Sequence, residues 1–245
     1  MRTSRLIPAL AATALAVLGL APTATAQPTT ASAPAQTARV ASVQPIIGGG
    51  YANSAPWAAR LFSNGRQTCS ATIIAPTWIL TAKHCVVNGG LSFRIGSLDQ
   101  TRGGTVANGA TVRNHPSADL SLVRLDRSVA GTYARLGQPG SVSVGQAVQV
   151  YGWGATTQSG SEIDYQSQYL KVADVYVTGA CRDAYGGSAI CARRGNGITA
   201  GGDSGGPMMA NGAQVGVAST SDRQTTTAYT NVTAYRSWIQ SIAGV

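Results

Sequence analysis

The chain has 245 residues, of which 44% are hydrophobic, 11% charged and 6% aromatic. This composition excludes a coiled coil, which would be rich in Glu and Lys, and a disordered chain of low hydrophobicity. Basic residues outnumber acidic ones by 18 to 9, which raises the question of nucleic-acid binding. Because the basic residues, among them Arg60 and Arg66, are scattered singly apart from the doublet Arg193-Arg194, we interpret them as a solvated surface and predict no nucleic-acid partner.

The first residues have the pattern of a targeting segment. Arg2 and Arg5 precede an apolar stretch, Leu6–Leu20, and Ala24-Thr25-Ala26 then supplies the small residues that a signal peptidase reads. This pattern predicts a secretory signal peptide over residues 1–26. A membrane anchor is the alternative, but the apolar stretch is shorter than a span of roughly 20 residues. We therefore expect a secreted, extracellular product without a membrane partner.

Residues 27–45 are Ala, Thr, Ser and Pro with one charge and no periodicity, so they are interpreted as a linker or a removable propeptide. From Ile46 onward, short apolar runs alternate with Gly, Asn and Ser. The folded domain is therefore expected over residues 46–245. Sixteen arginines against two lysines weakly indicate a bacterial source.

The four cysteines form two pairs of near neighbours, Cys69 with Cys85 and Cys181 with Cys191. Export permits disulfides, and four cysteines allow three connectivities. We predict pairing of neighbours, because each bond would close a short loop within one region. The competing interpretation is a zinc site, which lacks a C-x-x-C motif and has only His84 as a nearby ligand. No metal and no cofactor are predicted.

The domain is predicted to be all-β. Six short segments are rich in β-branched or aromatic residues and are separated by Gly, Asn, Ser or Pro: Trp57–Phe62, Thr68–Ile74, Leu120–Leu125, Ala147–Tyr151, Tyr169–Val177 and Gln214–Ser219. This is typical of a sandwich or barrel. The Gly/Ser-rich stretch 127–145 divides the domain into halves that each have enough strands for a small barrel.

One segment near the C-terminus follows a helical period instead. Tyr235, Trp238, Ile239 and Ile242 have the i, i+3, i+4, i+7 spacing of an amphipathic helix. Thr233 or Asn231 is available as its N-cap. We therefore expect an all-β domain closed by one C-terminal helix.

Three side chains point to nucleophilic chemistry. Ser204 lies in the densest glycine cluster, Gly201–Pro207, which is interpreted either as a structural turn or as a turn that presents backbone amides to a substrate oxygen. His84 precedes Cys85, whose disulfide would fix its backbone. Asp119 opens an alternating strand pattern, from where its carboxylate would orient an imidazole. Serine, histidine and aspartate are the groups that make an alcohol nucleophilic near neutral pH.

At these residues the sequence resembles the trypsin/chymotrypsin family of serine proteases. The resemblance runs from Ile46 to the C-terminal helix. Its motifs occur in the family's order: Ile46–Gly49, Thr81–Cys85, Asp119-Leu120, Gly152–Gly154, Gly202–Pro207, Tyr229–Val232 and Ser237–Ile239. The order His, Asp, Ser excludes the subtilisin and α/β-hydrolase arrangements.

The resemblance implies two six-stranded antiparallel β-barrels with the site in the cleft between them. It also implies that Ser204 attacks a peptide carbonyl to form an acyl-enzyme, that His84 transfers the proton and that Asp119 orients His84. The amides of Gly202 and Ser204 would form the oxyanion hole. Protein or peptide substrates, a protein protease inhibitor and a monomeric state are expected. A homologue that binds partners without cleaving them, and an esterase, are the alternatives.

The resemblance also places four residues around the primary specificity pocket: Ile198, Ser219, Ser221 and Thr227. Ile198 occupies the position of trypsin's pocket aspartate. We therefore expect small or medium uncharged side chains at the scissile residue, with larger apolar ones as the alternative. Two departures from the family are Lys83, where an alanine is usual, and Ala200, where many members carry a disulfide cysteine.

Members of this family are made as inactive zymogens. By resemblance, cleavage before Ile46 would free an α-amino group that pairs with Asp203. Pro45 rather than Arg or Lys precedes this point, so an activating protease of non-tryptic specificity, or stepwise trimming, would be required.

Overall fold

The computed structural model describes residues 46–158 and 160–245. The predicted signal peptide and propeptide lie outside the described residues. Two short strands open the described chain, β1 (Ile47–Gly48) and β2 (Gly50–Tyr51). No helix in this part of the chain is both long and apolar enough to cross a membrane.

The first barrel is built from six antiparallel strands. They are β3 (Ala58–Ser63), β4 (Arg66–Ala75), β5 (Trp78–Thr81), β6 (Leu91–Ile95), β7 (Thr105–Asn114) and β8 (Ser121–Leu125). The barrel closes in the order β3-β4-β5-β8-β7-β6. Strand β6 shows the period of two most clearly, because Leu91, Phe93 and Ile95 are buried while Ser92 and Arg94 between them are partly exposed.

The second barrel follows the predicted division of the domain. Its strands are β9 (Ala147–Gly152), β10 (Lys171–Arg182), β11 (Ser188–Arg194), β13 (Pro207–Ala210), β14 (Ala213–Ser221) and β15 (Thr226–Asn231), and β12 (Gly197–Ile198) pairs separately with β1. The order is β11-β15-β14-β13-β9-β10, and pairing of β10 with β11 closes it. The prediction of two six-stranded antiparallel barrels is confirmed.

The C-terminal helix, α1 (Arg236–Ala243), packs on the first barrel although it follows the second in sequence. Ile239 is fully buried in the core of the first barrel, with Trp238 and Ile242 beside it. A 3₁₀ turn, Val232–Tyr235, precedes the helix, and Asn231 caps this turn by accepting a 3.1 Å bond from the amide of Thr233. Asn231 therefore caps the 3₁₀ turn rather than the α-helix.

Both predicted disulfides are present, Cys69–Cys85 and Cys181–Cys191. The first attaches strand β4 to a 3₁₀ turn, Lys83–Val86, and the second joins β10 to β11. Cys69, His84 and Cys85 lie close enough together to hold a metal ion. The two sulfurs are already bonded to each other, so this cluster is interpreted as a disulfide beside a histidine.

Candidate active site

Strand pairing in the first barrel brings His84 and Asp119 together. Strands β5 and β8 are neighbours, with Thr81 opposite Ser121, so the residues just after β5 lie beside those just before β8. His84 lies in the 3₁₀ turn after β5, and its Nδ1 is 2.7 Å from Asp119 Oδ2. The amide of His84 donates a 3.0 Å bond to Asp119 Oδ1. Both the ring and the backbone of His84 are thus held by one carboxylate, which leaves Nε2 available for a second partner.

Asp119 is fully buried and remains charged because of its partners. Burial alone would raise the pKa of Asp119. The hydrogen bond and charge of His84, together with a 2.7 Å bond from the hydroxyl of Ser219, outweigh burial and lower the pKa below its ordinary value of 3.8. Asp119 is therefore a carboxylate that can stabilise an imidazolium at His84.

Ser204 lies on a tight turn between Gly202 and Gly205, whose φ angles are +97° and +78°. These left-handed conformations favour glycine. A Cβ at Gly205 would also collide with the hydroxyl of Thr81 and the carbonyl of Ser70. The carbonyl of Ser204 accepts a 2.8 Å bond from the amide of Ser70, which fixes the turn to strand β4. Ser204 and His84 line the same cavity, of about 310 Å³.

The peptide that follows Gly202 is held from the first barrel by two donors. The carbonyl of Gly202 accepts a 2.9 Å bond from Ser70 Oγ and a 3.1 Å bond from Arg60 Nη1. Arg60 is fully buried, so the interpretation of the basic residues as a solvated surface is wrong for it. Its guanidinium also donates to the side chains of Gln100, at 2.9 Å, and Gln166. Burial lowers the pKa of Arg60 to about 9, against the opposing effect of Asp203.

Asp203 is a second fully buried carboxylate, and its hydrogen-bond donors are neutral. Its Oδ1 accepts a 2.7 Å bond from the amide of Gly154, and its Oδ2 accepts a 2.9 Å bond from the amide of Ala200. Burial raises the pKa of Asp203 to about 6, although these amides and the charge of Arg60 lower it. A Cβ at Gly152 or Gly154 would occupy the space of this carboxylate, which explains why glycines flank Trp153.

Ile46 is buried in the core of the second barrel. In the uncut chain its nitrogen belongs to a peptide bond and carries no charge. The next glycines, Gly48 and Gly49, have φ angles of +89° and +70°, and side chains there would collide with the carbonyls of Asn196 and Val172.

Comparisons with known proteins agree with this geometry. The Trypsin family model matches residues 46–239. Trypsin alpha of Drosophila erecta is 30% identical over 81% of this chain and 87% of its own length. The thrombin-like enzyme leucurobin of Bothrops leucurus is 32% identical over 80% of this chain and 96% of its own.

The chain belongs to the trypsin family.

It is thus a serine protease, a hydrolase. Among solved structures, human heparin binding protein superposes with a TM-score of 0.71 and mouse neuropsin with 0.68, each at 25% identity. The first covers 81% of this chain and 96% of its own length, and the second covers 80% and 98%. The matching insect and snake enzymes do not support the bacterial source indicated by the arginine excess.

In this trypsin-family chain, hydroxyl-bearing residues line much of the cavity beside Ser204. Ser219 and Ser221 line it as expected, together with Thr199, Thr220 and Arg223, which sequence reasoning missed. Thr227 lies behind Thr199, with their hydroxyl oxygens 2.8 Å apart. Ile198, by contrast, is buried in the pairing of β1 with β12 and does not line the cavity.

Lys83, the departure from the usual alanine, now has a structural explanation. Its ammonium donates a 3.2 Å bond to the carbonyl of His115 and lies 4.6 Å from the ring centre of Tyr185, in the second barrel. A cation over an aromatic ring is attractive. Lys83 therefore links the turn that carries His84 to the opposite barrel.

Proposed function

We propose that this chain cleaves peptide bonds with Ser204 as nucleophile, His84 as general base and then general acid, and Asp119 as the carboxylate that orients His84. The observation that carries the proposal is the 2.7 Å contact of His84 Nδ1 with buried Asp119, beside a cavity that His84 shares with Ser204. Because Asp119 occupies Nδ1, the proton on that nitrogen points to the carboxylate and Nε2 is free to accept one.

The proposed reaction has two halves. Ser204 Oγ approaches His84 Nε2, loses its proton to it and bonds to the carbonyl carbon. The resulting tetrahedral intermediate expels the amine, which takes the proton from His84, and an acyl-enzyme remains. Water then attacks the ester carbon while His84 accepts its proton, and the acid product leaves as Ser204 recovers its hydrogen.

The amides of Gly202 and Ser204 are proposed to stabilise the oxyanion of the intermediate. Each such donor is worth about 3 kcal/mol in a comparable enzyme. Support comes from the turn itself, because Ser70 of strand β4 donates to the carbonyls of both residues and Arg60 of strand β3 donates to that of Gly202. Donors that are fixed before the reaction cost no reorganisation when charge develops.

A Ser204→Ala variant tests the proposal. Cleavage of a diverse peptide library, read by mass spectrometry, should be lost while the thermal unfolding temperature stays close to that of the parent, because only a hydroxyl is removed. Persistent peptide cleavage by the alanine variant would refute the mechanism. Folded parent protein without peptide cleavage would favour the alternative of a non-cleaving homologue, and cleavage of esters alone would favour an esterase.

For specificity, we propose a preference for small or medium uncharged side chains, such as Ala, Val or Leu. Ser221 and Thr199 line the cavity, and the hydroxyl oxygen of Thr199 lies 2.8 Å from that of Thr227. Arg223, the charged side chain of the lining, is paired with Glu162, whose other contact is a 3.0 Å bond from the amide of Gly201. The alternative is a preference for larger apolar residues. A strong preference for Arg or Lys in the peptide library would refute both.

We also propose that the protein is secreted as a zymogen, with a signal peptide over 1–26 and a propeptide over 27–45. Cleavage before Ile46 would supply the ammonium that Asp203 lacks. N-terminal sequencing of active protein from culture medium should read Ile-Ile-Gly-Gly. A protein that begins at Gln27, resists trimming and is fully active would show that the pair is not needed.

A further inference from the structure

A third buried carboxylate, Asp183, lies behind the site, in the turn between β10 and β11 of the second barrel. Its Oδ1 accepts bonds from the amides of Tyr185 at 2.9 Å and Gly187 at 2.8 Å, which close its own turn. Its Oδ2 faces the other way and accepts a 2.9 Å bond from the amide of Asp119, 64 residues earlier in the first barrel. The two oxygens thus serve two different parts of the molecule.

Thr230, on strand β15, completes the contact with Asp119. Its hydroxyl oxygen is 3.0 Å from Asp183 Oδ2 and 3.2 Å from the carbonyl oxygen of Asp119. The second barrel therefore accepts from the amide of Asp119 through Asp183 and reaches its carbonyl with the one hydroxyl hydrogen of Thr230, while His84 and Ser219 engage its side chain. Neither backbone group of Asp119 is left to a regular strand partner.

The approach of the Asp183 turn to Asp119 is close. A Cβ at Gly187 would lie 2.6 Å from both the Cβ of Ala118 and Asp183 Oδ2, so a larger residue would force the turn away. Lys83 lies over the ring of Tyr185 in the same turn. Two titratable residues lie next to Asp183: Asp119, whose amide donates to it, and His115, whose charge it influences. Lys83 lies farther away, on the other side of the Tyr185 ring.

We propose that Asp183 is a positioning residue: with Thr230, it fixes the main chain of Asp119 so that the Asp119 carboxylate stays aligned with His84 Nδ1. The inference rests on the proposed function of Asp119. Loop closure alone requires only Oδ1, whereas Oδ2 makes the contacts that reach Asp119. A small misalignment of a catalytic group lowers rates by up to about 100-fold.

Two substitutions separate positioning from loop folding. Asp183→Asn keeps the shape, but in either orientation its NH₂ faces at least one backbone N–H donor, because each carboxylate oxygen accepts from a main-chain amide. Thr230→Val is nearly isosteric and removes only a hydroxyl, without a change in charge. Thr230→Ser restores the hydroxyl, and Arg182→Ala is the matched control, because exposed Arg182 contacts the same turn at Gly186 but not Asp119.

The experiment measures kcat and KM from pH 5 to 9 with one peptide amide substrate, on cut protein whose active sites are counted with a serine-directed phosphonate. For Asp183→Asn, kcat should fall roughly 10- to 100-fold with little change in KM. The acidic limb of kcat/KM should also move to lower pH, because a poorly aligned carboxylate stabilises the imidazolium less. Thr230→Val should lower kcat and move the acidic limb of kcat/KM in the same directions, but by smaller amounts. Thr230→Ser and Arg182→Ala should resemble the parent.

Unchanged kcat in both Asp183→Asn and Thr230→Val, or a lower kcat with an unmoved acidic limb, would overturn the inference. If Asp183→Asn does not fold, Thr230→Val alone decides the question. Ser204→Ala distinguishes a failure of the proposed function from a failure of the role of Asp183. Its retained activity would overturn the proposed function, whereas its inactivity beside parent-like Asp183 and Thr230 variants would overturn only the role of Asp183.

Discussion

Asp119 and Asp203 are both fully buried, yet their environments shift their pKa values in opposite directions. Asp119 has the ring and amide of His84 and the hydroxyl of Ser219 within 3.0 Å, and its pKa is lowered. Asp203 has two backbone amides, and burial raises its pKa to about 6. Burial by itself therefore does not determine the charge of a carboxylate; the partner within hydrogen-bonding distance does.

The contrast also separates two functions. The Asp119 region is complete in the uncut chain, because all its partners come from the folded barrels. Among the described residues no cation lies within ion-pair distance of Asp203, and Arg60 donates instead to the carbonyl of Gly202, the residue before it. If cleavage before Ile46 supplies the partner of Asp203, as proposed, the uncut chain holds an assembled His84–Asp119 pair, whereas Asp203 still awaits its charged partner.

The largest loss of activity is expected from substitution of Asp119. Asp119→Asn should lower kcat about 10⁴-fold, because an amide cannot hold His84 in the tautomer that leaves Nε2 unprotonated. The measurement is peptide hydrolysis by the cut protein at pH 8. Asp126→Asn, which replaces a carboxylate paired with Arg127 away from the cavity, is the control and should be silent. Less than a tenfold loss in Asp119→Asn would contradict the assignment.

A smaller loss of activity is expected from substitution of Asp203, whose proposed partner forms only after cleavage. Asp203→Asn should lower the kcat/KM of the cut protein by about 10²- to 10⁴-fold, since removal of one partner of a buried ion pair costs about 3–5 kcal/mol. The same substitution should leave the low activity of the uncut chain nearly unchanged, because no pair exists there. Equal fractional losses in the two forms would show that Asp203 acts without the new amino group.

The pH dependence of stability should differ in sign between the two carboxylates. The folded pKa of Asp203 is about 6, above its ordinary 3.8, so its stabilising contribution is fully present below about pH 4 and is lost as pH rises through 6. Ionisation then costs the folded uncut chain about 3 kcal/mol. Asp119, with a lowered pKa, instead contributes stability above about pH 4 that is lost on acidification.

Urea unfolding of uncut Ser204→Ala protein between pH 4 and 8 measures this difference. Asp203→Asn in the same background should be more stable than its parent at pH 8 and should lose the decline through pH 6. Cut protein should also lose that decline, because the ammonium of Ile46 would compensate the charge. A decline that persists in Asp203→Asn would assign it to another group.

The smallest effect is expected at Arg60. Arg60→Lys keeps a positive charge but cannot reproduce donation to Gly202, Gln100 and Gln166 together. The free energy of unfolding should fall by about 2 kcal/mol, roughly the value of one or two lost hydrogen bonds to a charged group. Exposed Arg66 supplies a matched control in Arg66→Lys, which should be neutral. Equal stability of the two variants would show that the several hydrogen bonds of the Arg60 guanidinium do not stabilise the fold.

Much of the fold was predictable because its signals are local. Short segments rich in β-branched or aromatic residues, bounded by Gly, Asn, Ser or Pro, predicted strands such as β9 and β14, and the spacing of Trp238 and Ile239 predicted the helix. Strand β10 continues to Arg182, beyond its predicted end at Val177. Its pairing with β11 is irregular between Val177 and Gly179, and the strand resumes after this irregularity. A period interrupted in this way gives no sequence signal that the strand goes on.

The site was predictable only where motifs mark it. Glycines around Ser204 and the cysteine after His84 mark, locally in the sequence, the residues that are proposed to react. Arg60 and Asp183 have no such mark, because a single charged residue in a strand or turn is usually exposed. Their roles depend on contacts across 142 and 64 residues of sequence, to Gly202 and Asp119. Only the folded barrels reveal these partners.

Covalent labelling of the cut protein with a serine-directed phosphonate, followed by peptide mapping, tests the assignment of Ser204 as the nucleophile. One adduct is expected, on Ser204, formed in step with the loss of peptide cleavage. The adduct should be absent in His84→Ala and strongly slowed in Asp119→Asn, while Asp126→Asn should label as the parent does. An unlabelled Ser204 in active protein, or full peptide cleavage after Ser204 is labelled, would contradict the account.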